Sequence, residues 1–364
     1  MTIQRVMSSD YMRWAKLSSH ATYNLANSGL AGYRLSDLHV RIEDLEINGP
    51  VGYGYKPLQQ ALARKSQAPL ECVVATNGAS HGNFLAMAAL LEPGDEVLIE
   101  HPTYELFVDT AKYLGAKVRR FMRRLENDFQ IDIRELEQSL TPQTRLIVLT
   151  NPNNPTSAFT TEENLRSIGA MARSVGAHVL IGEIYLDSFF EQTPPSAFQL
   201  GPEFITTTSL TKIYGLSGLR CGWILAEPTL AEKIWSLNDL VANIPPHAAE
   251  LLSCAAVDQL DHIRERSRRI LDTNHQVFQS FMAKRNELSA PSFSHGTVSF
   301  PKLLHGDVEQ LLGLLRDKYD TSVVPGKFFG LKDHFRIGLG GETEDFAEGV
   351  RRLGLALDEL MSRA

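Results

Sequence analysis

The chain has 364 residues, enough for a large core and, on length alone, for two domains. Its 43% hydrophobic and 22% charged content is that of an ordinary soluble globular protein, and 43 acidic against 36 basic side chains give a net charge of −7, so no concentrated basic face for nucleic acid is expected. Cys72, Cys221 and Cys254 are too scattered for a disulfide framework or a metal site.

The opening stretch Met1–Asp10 has no apolar run of signal-peptide length, and no later run reaches the length of a membrane span. A cytoplasmic protein with neither membrane nor metal partner is the expectation. From Trp14 to Asp44 the pattern is irregular, and Tyr23–Gly32, its most distinctive part, reads as a loop packed on the domain. Glycines and a proline in Asn48-Gly-Pro-Val-Gly-Tyr53-Gly-Tyr55 then break the chain before a helix.

Val73–Thr76 reads as a strand entering a turn at Gly78-Ala79-Ser80, with Phe84, Met87, Ala88 and Leu91 as the apolar face of a helix that stops at Pro93-Gly94. A helix N-terminus behind small residues suits a phosphate, although glycine in such a turn also serves packing. Glu96–Glu100 is a short strand, and Tyr104 just beyond it is either a core tyrosine or a ring that stacks on a ligand. Arg145–Thr150 is apolar enough for a strand buried on both faces. It runs into Asn151-Pro-Asn-Asn154-Pro-Thr156, whose two X-Pro pairs forbid helix and predict an extended backbone. Thr160-Thr-Glu-Glu163 predicts a capping box before a helix with Leu165, Ile168, Ala172 and Val175 on one stripe.

His178–Ile181 is the next strand, followed by Gly182-Glu183-Ile184-Tyr185. The strand Phe204–Thr208 leads into Ser209-Leu-Thr-Lys212, and Arg220 follows Lys212 by eight residues. A lysine held between a strand and glycines is either a surface residue or an amine kept in place and partly desolvated for covalent chemistry. Cys221–Ala226 is a further strand, and a helical region broken at Pro245-Pro246 runs from Pro228 to about Asn286. Thr297–Phe300 and Thr321–Val324 are short strands. Arg336, in His334-Phe-Arg-Ile-Gly, is a guanidinium on a hydrophobic strand, costly unless a carboxylate or a structural acid pairs with it. Phe346, Val350, Leu353, Leu357 and Leu360 form the stripe of a closing helix. Strands alternating with helices predict a mostly parallel sheet, and its ligand belongs outside the carboxyl ends of the strands.

The lysine segment, the Asn-Pro-x-Asn-Pro-Thr loop, the Tyr185 element and the Arg336 strand together resemble fold-type-I pyridoxal 5'-phosphate (PLP) dependent enzymes of the aminotransferase class I/II family, over roughly residues 45 to 355. The resemblance implies an α/β PLP-dependent transferase-like fold: an N-terminal arm and part of the small domain at 1–44, a large PLP-binding domain at 45–265 with a mostly parallel mixed sheet flanked by helices, and a small α+β domain at 266–364. It implies Lys212 as the Schiff-base lysine and the cofactor phosphate on Gly78, Ala79, Ser80, Ser209 and Arg220. Tyr104 would stack on the ring, and Asn154 and Tyr185 would bond its 3'-oxygen. Arg336, with Asn154, would bind the carboxylate of an amino acid that exchanges its amino group with a 2-oxo acid, in a homodimer.

Three departures stand out. Gly182 occupies the position of the aspartate that pairs with the pyridine nitrogen, Ser157 that of a loop glycine, and Asn48 or Gly49 that of a tyrosine reaching the neighbouring subunit, for which Tyr53 or Tyr55 are stand-ins. Adjacent residues on an extended strand face opposite ways, so Glu183 is a poor substitute for the missing aspartate, and Asp187 serves only if its loop curls back. The missing charge favours binding of PLP over fast transamination. It keeps open another PLP reaction, such as a lyase, a cyclising enzyme or an oxidase, and more distantly a non-catalytic sensor.

Overall fold

Strands rich in branched apolar residues build the centre of the molecule, and the computed structural model describes residues 6–50 and 52–363 of the chain. Met1–Arg5, and Val51 within the glycine-proline break, lie outside the described residues. In chain order the strands are β1 Tyr23–Asn24, β2 Val73–Asn77, β3 Glu96–His101, β4 Lys117–Met122, β5 Thr144–Thr150, β6 His178–Gly182, β7 Phe204–Ser209 and β8 Cys221–Leu225. The short strands β9 Leu288–Ser289, β10 Val298–Ser299, β11 Lys302–Leu303, β12 Thr321–Ser322, β13 Val324–Pro325 and β14 Phe335–Gly338 follow. The helices are α1 Asp10–Leu17, α2 Lys56–Ser66, α3 Ala79–Leu90, α4 Glu105–Tyr113, α5 Ile133–Ser139 and α6 Glu162–Ser174, then α7 Pro228–Asn238, α8 His247–Asp258, α9 Leu260–Met282, α10 Val308–Asp317 and α11 Thr343–Ser362.

The seven-stranded sheet has the order β2-β8-β7-β6-β5-β3-β4. Only β8 runs against its neighbours, since it pairs antiparallel with both β2 and β7 while the remaining pairs are parallel. This is the mostly parallel mixed sheet of fold type I. Alternation along each strand feeds two cores: Val97, Ile99, Leu146 and Val148 face α3, α4 and α7, whereas Leu98, Ile147, Leu149 and Ile181 face α5 and α6. The polarity of β8 places its first residue at the same edge as the last residues of the parallel strands. The turns after β2, β3, β5, β6 and β7, together with the entry to β8, therefore meet along one line.

The remaining elements pack on a third core, which also takes in Val73 of β2 and Trp223 of β8. Leu271 and Phe278 of α9, Leu311 of α10, Leu353 and Leu357 of α11 and Ile337 of β14 are all buried together. Strand β14 lies between β10 and β13, with Arg336 opposite Val324. All five residues of the stripe expected on the closing helix are buried.

Several local expectations need correction. Residues Trp14–Leu17 belong to α1, whose N-cap Ser9 accepts from the Met12 amide and whose first and last turns carry Asp10 and Lys16, matching the helix dipole. The cap of α6 is Thr161, because Thr160 is taken up by Asn151 and Arg123. Helix α3 ends at Leu90 and is buried on most sides, with Leu85, Ala86 and Ala89 inside and Phe84 and Ala88 only partly covered, since it lies between the sheet and two neighbouring helices. Among the described residues no helix is long and apolar enough to cross a membrane.

Candidate active site

The turns at the sheet's carboxyl edge enclose a cavity of about 410 Å³. Ala79 and Ser80 line one end, at the start of α3. Ser209, at the end of β7, and Arg220, at the entry to β8, line the same region. Arg220 adopts the left-handed backbone (φ 51°), which turns the chain into β8 and sends the guanidinium back to the Asn77 carbonyl at 3.3 Å. Gly78 lies just behind. A Cβ on it would stand 2.3 Å from Arg220 Nη2, and its φ of 82° suits glycine alone.

Tyr104, Asn154, Tyr185 and Lys212 line the middle of the cavity. Lys212 Nζ donates to Ser28 Oγ at 3.0 Å. Burial, with Arg336 and Arg220 nearby, lowers its pKa to about 8. Tyr185 is 2% exposed, and its hydroxyl makes no hydrogen bond of ordinary geometry, although Ser28 is close enough to act on it. Tyr104 contacts Ser80 Oγ through its hydroxyl at 3.5 Å and meets Phe107 edge-on.

Arg336 closes the far end, 1% exposed. Its Nη1 donates to Asn154 Oδ1 at 3.0 Å, and Nη2 donates to the Ala26 carbonyl at 2.9 Å and to the Tyr11 hydroxyl at 3.2 Å. Nε has no partner. Among the described residues no acid pairs with this guanidinium, so the structural salt bridge weighed from sequence does not form. A buried guanidinium satisfied only by neutral oxygens is poised for an anion. With Oδ1 accepting from Arg336, Asn154 keeps its Nδ2 to donate into the cavity. Its backbone is fixed by Thr150 Oγ1 at 2.9 Å, and Thr150 is held in turn by Glu100, which is fully buried against Arg123.

The cavity thus joins three cationic side chains, and no aspartate, glutamate or histidine is among the described residues that line it. A model of the family described as "Aminotransferase class I and II" matches residues 48–353.

The chain belongs to this family.

It is 26% identical over 333 residues to an aspartate aminotransferase of Streptomyces avermitilis, covering 85% of this chain and 81% of that one. It is 27% identical over 347 residues to the capreomycidine synthase of Streptomyces vinaceus, covering 91% and 88%. A solved PLP-dependent aminotransferase from Streptococcus suis superposes with a TM-score of 0.90 at 27% identity, covering 99% of each chain. Membership makes the chain a PLP-dependent aminotransferase of fold type I.

The residues present fit that cofactor. An amine of lowered pKa lies between a phosphate-sized cradle of helix N-terminus, hydroxyls and arginine and two unspent donors, Asn154 Nδ2 and Tyr185 Oη. The aminotransferase departs from its family's pattern where the sequence does. At Gly182 a Cβ would press on Thr150 Cγ2 at 3.1 Å, while Phe107 at 3.5 Å is in ordinary contact. Glu183 faces away and accepts from Ser196 Oγ and the Ala197 amide, its burial raising its pKa to about 7. Asp187 is pinned by Lys65 and Tyr214, away from the cavity. Tyr53 bonds Asp239 and Tyr55 packs on His247, and neither lines this cavity.

The Asn-Pro loop is not extended throughout. Asn153–Ser157 forms a turn closed by Ser157 N to Asn153 O at 2.8 Å, because the Asn153 side chain accepts from both Thr156 donors. Ser157 takes the left-handed backbone (φ 64°) that a glycine would favour, and its hydroxyl donates to the Val298 carbonyl at 2.7 Å. Ser157→Ala keeps the strained backbone and strands that buried carbonyl, at a cost of about 1–3 kcal/mol. Ser157→Gly loses the same bond but relieves about 1–2 kcal/mol of backbone strain. Urea denaturation should therefore rank wild type first, glycine second and alanine last; alanine at or above glycine would contradict this account.

Sequence reasoning missed the N-terminal contribution. Tyr11, Met12 and Trp14 of α1 line the cavity, as do Asn27 and Ser28 of the 23–32 segment. Its Leu30 amide bonds the Lys212 carbonyl, and Tyr23 and Asn24 pair with β12. The one available signal was that segment's run of small and amide residues.

Proposed function

We propose that the chain transfers the amino group of an amino acid to a 2-oxo acid, with Lys212 as the residue that attaches PLP and moves the proton. A partly buried amine of lowered pKa between two arginine anchors carries this reading. Arg220, Ser80, Ser209 and the amides at the start of α3, with Gly78 and Ala79 leaving room, would hold the cofactor phosphate. Asn154 Nδ2 and Tyr185 Oη would donate to the 3'-oxygen, and Tyr104 would pack on the ring. PLP supplies an electron sink for the bonds at the substrate's Cα. Arg336 would grip the α-carboxylate with two parallel bonds and so orient Cα toward Lys212. The Lys212 amine, its pKa lowered to about 8 by burial and the two arginines, would accept the proton released at Cα and hold it for return.

A second reading is favoured by Gly182. Among the described residues no carboxylate lines the cavity, so none of them offers the pyridine nitrogen an anionic partner, which weakens the sink and suits a reaction other than transfer. A relative named capreomycidine synthase supports keeping it. The same assay separates the two. PLP-loaded protein mixed with a panel of amino acids should convert its cofactor to the aminated form one-for-one with 2-oxo acid, followed by absorbance and mass spectrometry. Substrate consumed while the cofactor stays as aldehyde would favour the second reading; binding without consumption would favour a sensor.

The division into 1–44, 45–265 and 266–364 is supported by the large sheet lying within 73–225 and the small sheets within 288–338, with β1 joined to β12. A homodimer is supported by exposed Leu35, Ile42, Ile47, Tyr53, Leu240 and Val241, apolar side chains that a second copy would cover. Three free cysteines support a cytoplasmic location.

A further inference from the structure

We propose that Tyr11 is a second ligand for the substrate's α-carboxylate, acting beside Arg336; this rests on the reading of Arg336 as the carboxylate anchor. Both edges by which a guanidinium grips a carboxylate in two parallel bonds, Nε with Nη2 and Nη1 with Nη2, include Nη2. In Arg336 the two Nη2 contacts are the Ala26 carbonyl at 2.9 Å and the Tyr11 hydroxyl at 3.2 Å, while Nε has no partner among the described residues. Ala26 O is backbone, fixed in a segment tied to β12 and to Lys212. Tyr11 is a side chain and can yield.

A carboxylate that engages Arg336 through the Nη2 hydrogen now directed at Tyr11 takes over that donor, and its oxygen arrives against the phenol. Tyr11 Oη accepts from Arg336, and among the described residues its own proton has no acceptor. That proton is available to the arriving oxygen. The carboxylate would then accept from two groups, one charged and one neutral.

The ring is held for this task. Tyr11 is 7% exposed, meets Tyr104 edge-on at 6.0 Å, and has Phe328 and Phe329 each at 5.8 Å. Its amide donates to Glu105 at 2.9 Å, and Ser9 Oγ bonds the same carboxylate at 3.1 Å, which fixes the start of α1 to α4. Phenylalanine at this position keeps the packing and removes only the hydroxyl.

The test uses PLP-loaded wild type and Tyr11→Phe with two readouts: the dissociation constant of propionate, a carboxylate without an amino group, followed by cofactor absorbance, and KM and kcat for an amino donor. The expected result is propionate binding weakened about tenfold, which corresponds to about 1.4 kcal/mol, with KM raised by a similar factor, kcat within threefold and cofactor retention unchanged. Propionate affinity within twofold of wild type, or a loss confined to kcat, overturns the role of Tyr11. Wild type that neither binds propionate nor saturates with any donor overturns the Arg336 reading beneath it.

Discussion

Lys212→Met is expected to abolish covalent attachment of PLP and to lower turnover by about 10⁴-fold, the upper range for loss of a positioned acid-base group. Methionine keeps the length of the stem, so the effect isolates the amine. Borohydride reduction should fix the cofactor to the Lys212 peptide in wild type and to no peptide in the variant. Label recovered on another lysine would refute the assignment. The pKa of about 8 adds a pH signature. Attachment needs the neutral amine, so its rate in cofactor-free protein should rise with pH to a midpoint near 8, below the ordinary lysine value of 10.5.

The sign for stability is opposite to that of a salt-bridged lysine. Between about pH 8 and 10.5 the unfolded chain binds more protons at this position than the folded one, so stability rises with pH across that window. At neutral pH the folded protein carries the penalty in full. Removing the charge should accordingly stabilise the cofactor-free variant by about 1–3 kcal/mol, while destroying activity. Loss of stability together with loss of activity would mean that Lys212 is structural.

The sheet was legible because strands buried on both faces read as continuous apolar runs, and β3, β5, β6, β7 and β8 start or end within a residue or two of where those runs do. Edge strand β4 was not. Its Lys-Val-Arg-Arg-Phe-Met carries charge that the fold absorbs through Arg120, which bonds the carbonyls of Ile99 and Glu100, a partnership no local pattern encodes. The cavity divides in the same way. Gly78, Asn154, Tyr185, Lys212 and Arg220 lie beside strand ends, and sequence position alone brings them to one edge. Tyr11 reaches Arg336 across 325 residues of chain, and Ser28 reaches Lys212 across 184. Such contacts follow from packing of the N-terminal helix, and only coordinates reveal them. Gly182 reads in the sequence as a missing charge; the structure adds that a Cβ there would press on Thr150 at 3.1 Å, so restoring the aspartate requires that side chain to give by a few tenths of an ångström.

Arg336→Gln is expected to lower kcat/KM for every amino donor by about 10³-fold, the effect of leaving one partner of a desolvated carboxylate pair without its charge, about 2–5 kcal/mol. Most of the change should appear in KM if the guanidinium grips substrate and transition state alike, and in kcat if it acts chiefly by aiming Cα at Lys212. The substitution carries a second consequence at a distance. Arg336 is the largest electrostatic contributor to the lowered Lys212 pKa, after burial, so its removal should move the midpoint for cofactor attachment upward from about 8. Cofactor retention itself should persist, because Arg220 is held at the Asn77 carbonyl beside the start of α3 and Arg336 bonds none of those groups. The two readouts separate the roles of the side chain: a normal midpoint with a large KM effect would confine Arg336 to carboxylate binding, whereas a shifted midpoint with unchanged KM would remove it from the substrate altogether. Joint movement of both, with PLP still bound, is what a guanidinium that holds the substrate and also tunes the amine must produce.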